Sequence, residues 1–260
     1  MSSVLKEICD VKAEHVQVQK QKQSVTDLEQ QIRSIAPPRG FIKALKSSKG
    51  PSLIAEVKKA SPSKGIIRQD FDPQDIANIY KDNGASCLSV LTDQPYFQGS
   101  DEIFQAVRKT VNLPLLRKDF MVDPYQIIES RALGADCILI IMAALSNQQA
   151  KELYNTALEY DMDVLTEVHN AEELERCAYF EPKMIGVNNR NLKTLNVDTQ
   201  TSFDLLNQIP NNVLKVAESG LSDAQTIKKL HTAGYNSFLI GETFMKEKDI
   251  AKKIHLLFPD

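Results

Sequence analysis

Short apolar runs bounded by turn residues recur along residues 52–240, and the segments between them have apolar positions spaced three and four apart. The short runs are typical of buried parallel strands, and the intervening segments are typical of amphipathic helices. The pattern predicts strands at residues 53–58, 86–91, 114–118, 136–142, 163–168, 184–188, 213–218 and 237–240. Each is followed by a helical pattern, without a run of hairpin signals. We therefore predict an α/β protein whose fold is a (β/α)8 TIM barrel.

Local signals at the helix ends support this alternation. Aspartate or serine is expected to cap the helix starts, at Asp72, Asp123, Ser146 and Ser222. Glycines are expected to supply a left-handed turn at the helix ends, at Gly84, Gly134 and Gly234. A doubly wound open sheet is the alternative fold, but G-x-G-x-x-G does not follow the first strand.

The first 50 residues have a different pattern. Apolar residues recur at helical spacing over residues 4–35, which predicts one long helix, with a coiled-coil arm as the alternative. Pro37 and Pro38 end that helix, and residues 41–45 are expected to form a short second one. We interpret the chain as one domain, with a helical N-terminal extension (residues 1–50) and a barrel (residues 51–260).

The composition and net charge of the chain argue against several classes of function. The 260-residue chain is 42% hydrophobic and 25% charged, and its formal net charge of −3 offers no overall attraction to nucleic acid or an anionic membrane. The longest apolar run, residues 137–145, is too short for a membrane span, and the N-terminus lacks the apolar core of a signal peptide. We therefore expect a cytoplasmic protein, with Cys87 and Cys137 reduced and buried.

No metal site is predicted, because neither the four cysteines nor the four histidines have metal-ligand spacing. We expect the histidines to be surface or packing residues: His15, His169, His231 and His255.

Charged and polar residues close most of the predicted strands. The carboxyl ends of parallel strands meet at one rim, where barrels bind their ligands. The residues expected there include Glu56, Lys58, Lys118, Asp119, Glu167, Asn188, Arg190, Glu218 and Ser219. Any one of these is more often a surface charge, but lysines, carboxylates and an amide at one rim predict acid–base catalysis.

Two glycine-containing turns follow the last two strands. Ser219-Gly220 and Gly241-Glu242 each precede a helix, so that backbone N–H groups and the helix dipole meet there. Because the seventh and eighth loops of barrels commonly bind phosphate, the pair predicts a phosphate site. Phe97 and Phe120 follow the second and third strands, where they either line an apolar pocket for a substrate ring or pack the rim.

Seven motifs, in this order, resemble the indole-3-glycerol phosphate synthase family of tryptophan biosynthesis. They are IAEVKKASPSKG, LTDQPYFQGS, LRKDFMVDPYQI, LTEVH, IGVNNRNL, VAESG and FLIGETFM. The resemblance implies a lyase that closes the pyrrole ring of 1-(2-carboxyphenylamino)-1-deoxyribulose 5-phosphate with loss of CO2 and water. It implies neither a metal nor an organic cofactor, and it places the N-terminal helix over the catalytic rim, with a docking arm as the alternative.

The same resemblance implies roles for individual residues. Lys118 is the general acid of ring closure, and Lys58 assists the dehydration or holds the substrate electrostatically. Glu167 is a base or charge stabiliser, Glu56 orients one of the lysines, and Asn188 binds a substrate hydroxyl. The other expected contacts are Ser61 and Arg190 at the substrate carboxylate, and Ser219 (also counted as catalytic), Gly220, Gly241 and the Glu242 N–H at the phosphate. The Glu242 side chain is expected to turn away from the phosphate.

Three other functions fit the residues less well. A sugar-phosphate isomerase is expected to close its first strand with Cys or Asp, whereas this chain has Glu56-Val57-Lys58. A Schiff-base aldolase needs a lysine on the sixth strand, where this chain has asparagines. A non-catalytic barrel that binds a phosphorylated metabolite or docks to a partner enzyme is the alternative from another class. We expect a small phosphorylated substrate, no nucleic-acid or membrane partner, and a monomer, with a weak dimer as the alternative.

Overall fold

The computed structural model describes residues 3–259, in which eight parallel strands form a closed barrel. They are β1 (Ser52–Val57), β2 (Cys87–Leu91), β3 (Leu115–Lys118), β4 (Cys137–Ile141), β5 (Asp163–Val168), β6 (Met184–Asn188), β7 (Leu214–Glu218) and β8 (Ser237–Ile240). Each strand pairs with its neighbours in sequence, and β8 pairs with β1 to close the barrel. The observed strand ends lie within one residue of those predicted, and the (β/α)8 barrel is confirmed.

Helices surround the barrel and follow each strand. They are α1 (Ser3–Lys22), α2 (Val25–Ile32), α3 (Phe41–Lys46), α4 (Pro73–Asp82), α5 (Gln94–Phe97), α6 (Asp101–Thr110), α7 (Pro124–Ala132), α8 (Asn147–Glu159), α9 (Ala171–Arg176), α10 (Gln200–Leu206), α11 (Ala224–Ala233), α12 (Glu242–Met245) and α13 (Ile250–Leu257). Short 3-10 turns occur at Met142–Ala144 and Cys177–Tyr179, and Ala60–Ser61 pairs with Gly65–Ile66 in a small hairpin after β1. Within residues 3–259, no helix has the length and apolar character needed to cross a membrane.

Apolar side chains cover both faces of the sheet, which explains why the strands have continuous apolar sequences. Inside the barrel, Ile54, Leu116, Leu165 and Leu239 belong to one buried cluster. A second, larger cluster lies between the strands and the surrounding helices. Because this interior is apolar, the charged side chains at the carboxyl ends of the strands need partners or a function there.

Two predicted helix boundaries are wrong, both because of capping residues. The segment 4–35 forms two helices, since Ser24 begins α2: its Oγ accepts a hydrogen bond from the Asp27 N–H at 3.2 Å, and the Asp27 carboxylate accepts one from the Ser24 N–H at 3.0 Å. The cap of α11 is Asp223 rather than Ser222, and it accepts a hydrogen bond from the Thr226 N–H. The predicted caps Asp72, Asp123 and Ser146 are confirmed.

The N-terminal extension spans the barrel from one end to the other. α1 lies at the mouth formed by the carboxyl ends of the strands, where Lys12 contacts residues that follow β2 and β3. α2 packs against α7 on the side of the barrel. α3 covers the opposite end, where Phe41 is fully buried and the Ile42 N–H donates to Asp163 at the start of β5. Of the extension, α1 therefore lies over the rim, whereas α3 closes the far end of the barrel.

Candidate active site

Three carboxylates surround one lysine at the mouth of the barrel. The Lys118 Nζ atom, at the end of β3, lies 3.4 Å from Glu218 Oε2, 3.5 Å from Glu56 Oε2 and 3.9 Å from Glu167 Oε2. These carboxylates come from β7, β1 and β5, and all three are buried. Burial acts to lower the pKa of Lys118, but the carboxylates outweigh it and raise that pKa above its usual value. Lys118 therefore carries its proton at neutral pH.

A second lysine contacts the same cluster through Glu56. The Lys58 Nζ atom lies 2.6 Å from Glu56 Oε1. Burial acts to raise the pKa of Glu56, but Lys58 and Lys118 outweigh it and lower that pKa. A Cβ atom at Gly241, which follows β8, would lie 2.3 Å from Glu56 Oε1. Gly241 therefore leaves space for this carboxylate, a role that the sequence does not predict.

Glu218 is the carboxylate nearest to Lys118, although the sequence does not single it out as catalytic. Its side chain fits because Gly186 in β6 has no side chain: a Cβ atom there would lie 2.1 Å from Glu218 Oε1. Burial raises the pKa of Glu218, and Glu167 and Glu56 add to this effect while Lys118 opposes it. Glu218 therefore takes up a proton more readily than an ordinary carboxyl group, and it shares a hydrogen bond with Glu167. A glycine inside an otherwise apolar strand is the sequence signal for such a close approach.

Glu167 is contacted by polar side chains on several sides. It accepts a hydrogen bond from Asn188, and its Oε1 atom lies 3.2 Å from His169 Nε2. Burial acts to raise the pKa of Glu167, but His169 and Lys118 outweigh it and lower that pKa. Of these two neighbouring carboxyl groups, Glu167 is therefore the stronger acid and Glu218 the one that protonates first. Of the two alternatives expected for His169, a surface residue or a packing residue, the surface one is excluded, because its side chain is 6% exposed and lies beside Glu167.

The charged cluster lies at the base of a cavity of about 520 Å³ whose wall is largely apolar. Phe97 and Phe120 line one side, with their ring centroids 6.1 Å apart. Leu5 of α1 and Leu139 of β4 also line the cavity. The predicted aromatic pocket residues are thus brought together, in a space that suits an aromatic ring with polar groups directed at the lysines.

The turn after β7 has left-handed backbone at two consecutive residues. The φ angles are 64° at Ser219 and 76° at Gly220, and both residues line the cavity. Gly220 is required for space as well, since a Cβ atom there would lie 2.7 Å from Val197 Cγ1. Buried Asn189 holds the turn, as its Nδ2 donates to the Ser219 carbonyl at 3.1 Å. Turns that present successive N–H groups form anion-binding concavities.

The end of β8 provides the other half of the expected phosphate site. Glu242 is the first residue of α12, where the leading N–H groups have no acceptor within the helix. Its carboxylate lies 3.3 Å from Arg190 Nη2 and also pairs with Lys246. Burial acts to raise the pKa of Glu242, but Lys246 and Arg190 outweigh it and lower that pKa. Arg190, expected at the substrate carboxylate, therefore lies instead at this end of the cavity, together with Lys246, which the sequence does not single out.

Ser61 is the expected substrate contact that lies apart from the others. It belongs to the small hairpin after β1, opposite Gly65. It is not among the residues that line the 520 Å³ cavity. Its Oγ atom is buried and has no hydrogen-bond partner within residues 3–259. The structure thus shows no hydrogen bond between Ser61 and the charged cluster.

A buried ion pair fastens α1 to the mouth. The Lys12 Nζ atom lies 2.7 Å from Asp119 Oδ1 and 3.0 Å from Asp93 Oδ1. Asp119 directly follows Lys118, and it also accepts a hydrogen bond from the Thr92 hydroxyl at 2.6 Å. The sequence does not predict this role for Lys12, because a single lysine on a polar helix does not indicate its partners. The contact ties the extension to the strand that carries the central lysine.

A family model described as indole-3-glycerol phosphate synthase matches residues 5–257. The indole-3-glycerol phosphate synthase of Azospirillum brasilense is 52% identical over 254 residues, which cover 96% of this chain and 97% of that protein. That of Zymomonas mobilis subsp. pomaceae is 49% identical over 253 residues, covering 96% of each.

Among solved structures, an N-acetylmannosamine-6-phosphate 2-epimerase from Clostridium perfringens has a TM-score of 0.60 at 12% identity, over 76% of this chain and 89% of that one. That likeness shows the barrel fold alone. The family model and the two relatives extend over nearly the whole chain. This chain therefore belongs to the indole-3-glycerol phosphate synthase family.

Proposed function

We propose that the cavity at the mouth converts 1-(2-carboxyphenylamino)-1-deoxyribulose 5-phosphate to indole-3-glycerol phosphate, CO2 and water. The observation that carries the proposal is the charged Lys118, held among Glu56, Glu167 and Glu218 at the base of an apolar cavity. The substrate has an aromatic ring, a sugar carbonyl and a phosphate. The cavity offers an apolar wall, an acid and a cationic end to match them.

Lys118 acts as the general acid of ring closure. The ring carbon that bears the carboxylate attacks the carbonyl carbon of the ribulose chain. As this carbon–carbon bond forms, the carbonyl oxygen takes a proton from Lys118 and becomes a hydroxyl. The surrounding carboxylates keep Lys118 in its acid form until then. Positioned proton transfer of this kind contributes about 10²–10⁴-fold to a rate.

Decarboxylation and dehydration complete the reaction. The bond to the carboxylate carbon breaks, CO2 leaves, and the electron pair restores the aromatic ring. Glu167 then takes a proton from the carbon next to the ring nitrogen, and the hydroxyl leaves as water with a proton from Lys58. In each turnover the enzyme gives the substrate two protons, from Lys118 and Lys58, and takes one, at Glu167. It therefore regains one proton from solvent. Asn188, which already hydrogen-bonds Glu167, also holds a substrate hydroxyl.

The phosphate binds at the ends of β7 and β8. The N–H groups of the Ser219-Gly220 turn and of Gly241-Glu242 donate to it, and Arg190 and Lys246 supply positive charge. The aromatic ring then lies on the side of Phe97 and Phe120. As the sequence predicts, we further propose that the enzyme acts as a monomer in the cytoplasm, without a metal or an organic cofactor.

The test is indole fluorescence on mixing the purified protein with the substrate. The chain contains no tryptophan, so the indole product is detected without an indole background from the protein. We expect product with the wild type and a loss of about 10³-fold or more in kcat for Lys118→Ala. Lys109→Ala, an exposed lysine on α6, is the matched control and should keep wild-type activity. A folded wild type that binds the substrate but forms no product would refute the proposed reaction, and equal kcat in both lysine variants would refute the role of Lys118.

A further inference from the structure

A buried chain of charged groups extends from Lys118 away from the cavity. Lys118 Nζ lies 3.9 Å from Glu167 Oε2, and the other oxygen of Glu167, Oε1, lies 3.2 Å from His169 Nε2. His169 Nδ1 in turn lies 3.0 Å from Glu173 Oε2. The imidazole is therefore placed between two carboxylates, one at the reacting centre and one on α9.

Glu173 is itself held in place. Its Oε2 atom accepts a hydrogen bond from the His169 backbone N–H at 2.8 Å, and its Oε1 atom accepts one from Asn170 Nδ2 at 2.8 Å. Asn170 is the N-cap of α9 and accepts a hydrogen bond from the Glu173 N–H. The imidazole ring thus has an anchored partner on the side away from Glu167, which fixes its orientation.

We propose that His169 is a positioning residue for the reaction: anchored by Glu173, it holds the Glu167 carboxylate in place and keeps it ionised to accept the substrate proton. This inference rests on the proposed function, in which Glu167 is the base. His169 contacts no substrate in this arrangement and acts through Glu167.

The charges around both residues support this role. Glu167 faces Lys118 from β3, Asn188 from β6, Glu218 from β7 and His169 from its own strand end. Lys118 is shared with Glu56 and Glu218 and lies 3.9 Å from Glu167, so His169, at 3.2 Å, is the cationic group nearest to Glu167 within residues 3–259.

On its other side, His169 faces Glu173. His169 also lines a neighbouring cavity of about 310 Å³, together with Asn170 and Arg176 of the α9 region and Lys193 of the loop after β6. Burial acts to lower the pKa of His169, but its two carboxylate partners outweigh it and raise that pKa to about 10. The imidazole is consequently charged over the whole neutral range.

The test compares His169→Gln with the wild type across pH. Glutamine offers an amide donor but no charge, so Glu167 should take up a proton more readily. We expect kcat to fall about 10- to 100-fold with KM little changed. The acidic limb of the kcat profile should move up by about one pH unit. Glu175→Gln changes an exposed acid on α9, the helix that carries Glu173, and is the matched control. Its kcat and pH profile should equal those of the wild type.

Two further variants keep the result interpretable. Glu173→Gln leaves the imidazole in place but removes its anchoring charge, so it should move the acidic limb in the same direction by less, even if His169→Gln does not fold. In a Glu167→Gln background, which should be nearly inactive, adding His169→Gln should cost nothing more.

The outcomes separate the two proposals. Wild-type activity in Glu167→Gln would refute the proposed base. If Glu167→Gln is inactive but His169→Gln keeps the wild-type kcat profile, the role of His169 alone is overturned. The same conclusion follows from a wild-type profile in Glu173→Gln if His169→Gln does not fold.

Discussion

Gly186→Ala should reduce activity strongly while leaving the barrel folded. The added Cβ atom would lie 2.1 Å from Glu218 Oε1 and 3.1 Å from Leu165 Cδ1. Ordinary van der Waals contact begins near 3.4 Å, so the carboxyl oxygen has to move by about 1.3 Å. Because Glu218 is buried and lies 3.4 Å from Lys118, that movement changes the surroundings of the proposed acid directly.

The expected magnitudes follow from this displacement. A misplacement of about 1 Å at a reacting centre costs about 10²-fold in rate, so kcat should fall by that order. The clash is with the end of a flexible side chain, and overpacking of a core costs about 1–3 kcal/mol. For a chain of this size, the melting temperature should fall by roughly 2–4 °C for each kcal/mol.

The assay is steady-state indole fluorescence together with thermal unfolding followed by circular dichroism. Gly50→Ala is the matched control, since Gly50 is exposed and a Cβ atom there meets nothing within 4 Å. The double variant Gly186→Ala/Glu218→Ala removes the clashing carboxyl, and it should regain stability but not activity. A kcat for Gly186→Ala equal to that of Gly50→Ala would refute the argument that Gly186 positions Glu218.

Two predictions concern stability. Lys12→Met removes the nearest cation from buried Asp93 and Asp119 and leaves Asp119 with Arg117 at 4.0 Å, which should cost about 3–5 kcal/mol in urea unfolding. Lys6→Met on the same helix breaks an exposed pair and should cost less than about 1 kcal/mol. Equal costs would contradict the stabilising role of the Lys12 ion pair. The folded-state pKa of His169 is raised to about 10, so its stabilisation is complete below its usual pKa of about 6.5 and is lost as pH rises toward 10. The difference in unfolding free energy between wild type and His169→Gln should therefore shrink over that window, from an upper limit of about 5 kcal/mol, and a difference independent of pH would show that the charge contributes nothing.

Much of the fold follows from local sequence signals. Asp72 and Asp123 cap helices whose first residue is proline, and Gly84 and Gly134 end helices with left-handed backbone. These signals act over a few residues and are readable without tertiary contacts. The break between α1 and α2 is harder to predict, because Ser24 and Asp27 form a capping box inside an otherwise continuous helical pattern.

The site was predictable where a strand end carries a charge. Glu56, Lys118 and Glu167 end strands of one parallel barrel, so their convergence follows from the topology. The roles of Gly186 and Gly241 were not predictable in this way. Each glycine makes room for a carboxylate on another strand, and which strand that is depends on the register of the closed barrel.

The sequence by itself determined the alternation of strands and helices, the barrel and the residues at its rim, because periodicity and capping are local properties of a chain. The tertiary structure alone decided how the charged residues are paired. Glu218 lies beside Lys118, His169 lies between Glu167 and Glu173, and Lys12 of α1 lies beside two aspartates. Lys118 and Glu218, and Lys12 and its aspartates, are distant in sequence, and only the folded chain brings them together. The proton affinities of all these groups depend on burial and on distances of a few ångströms. The proton affinities of these charged residues are therefore set only when the barrel closes and brings them together.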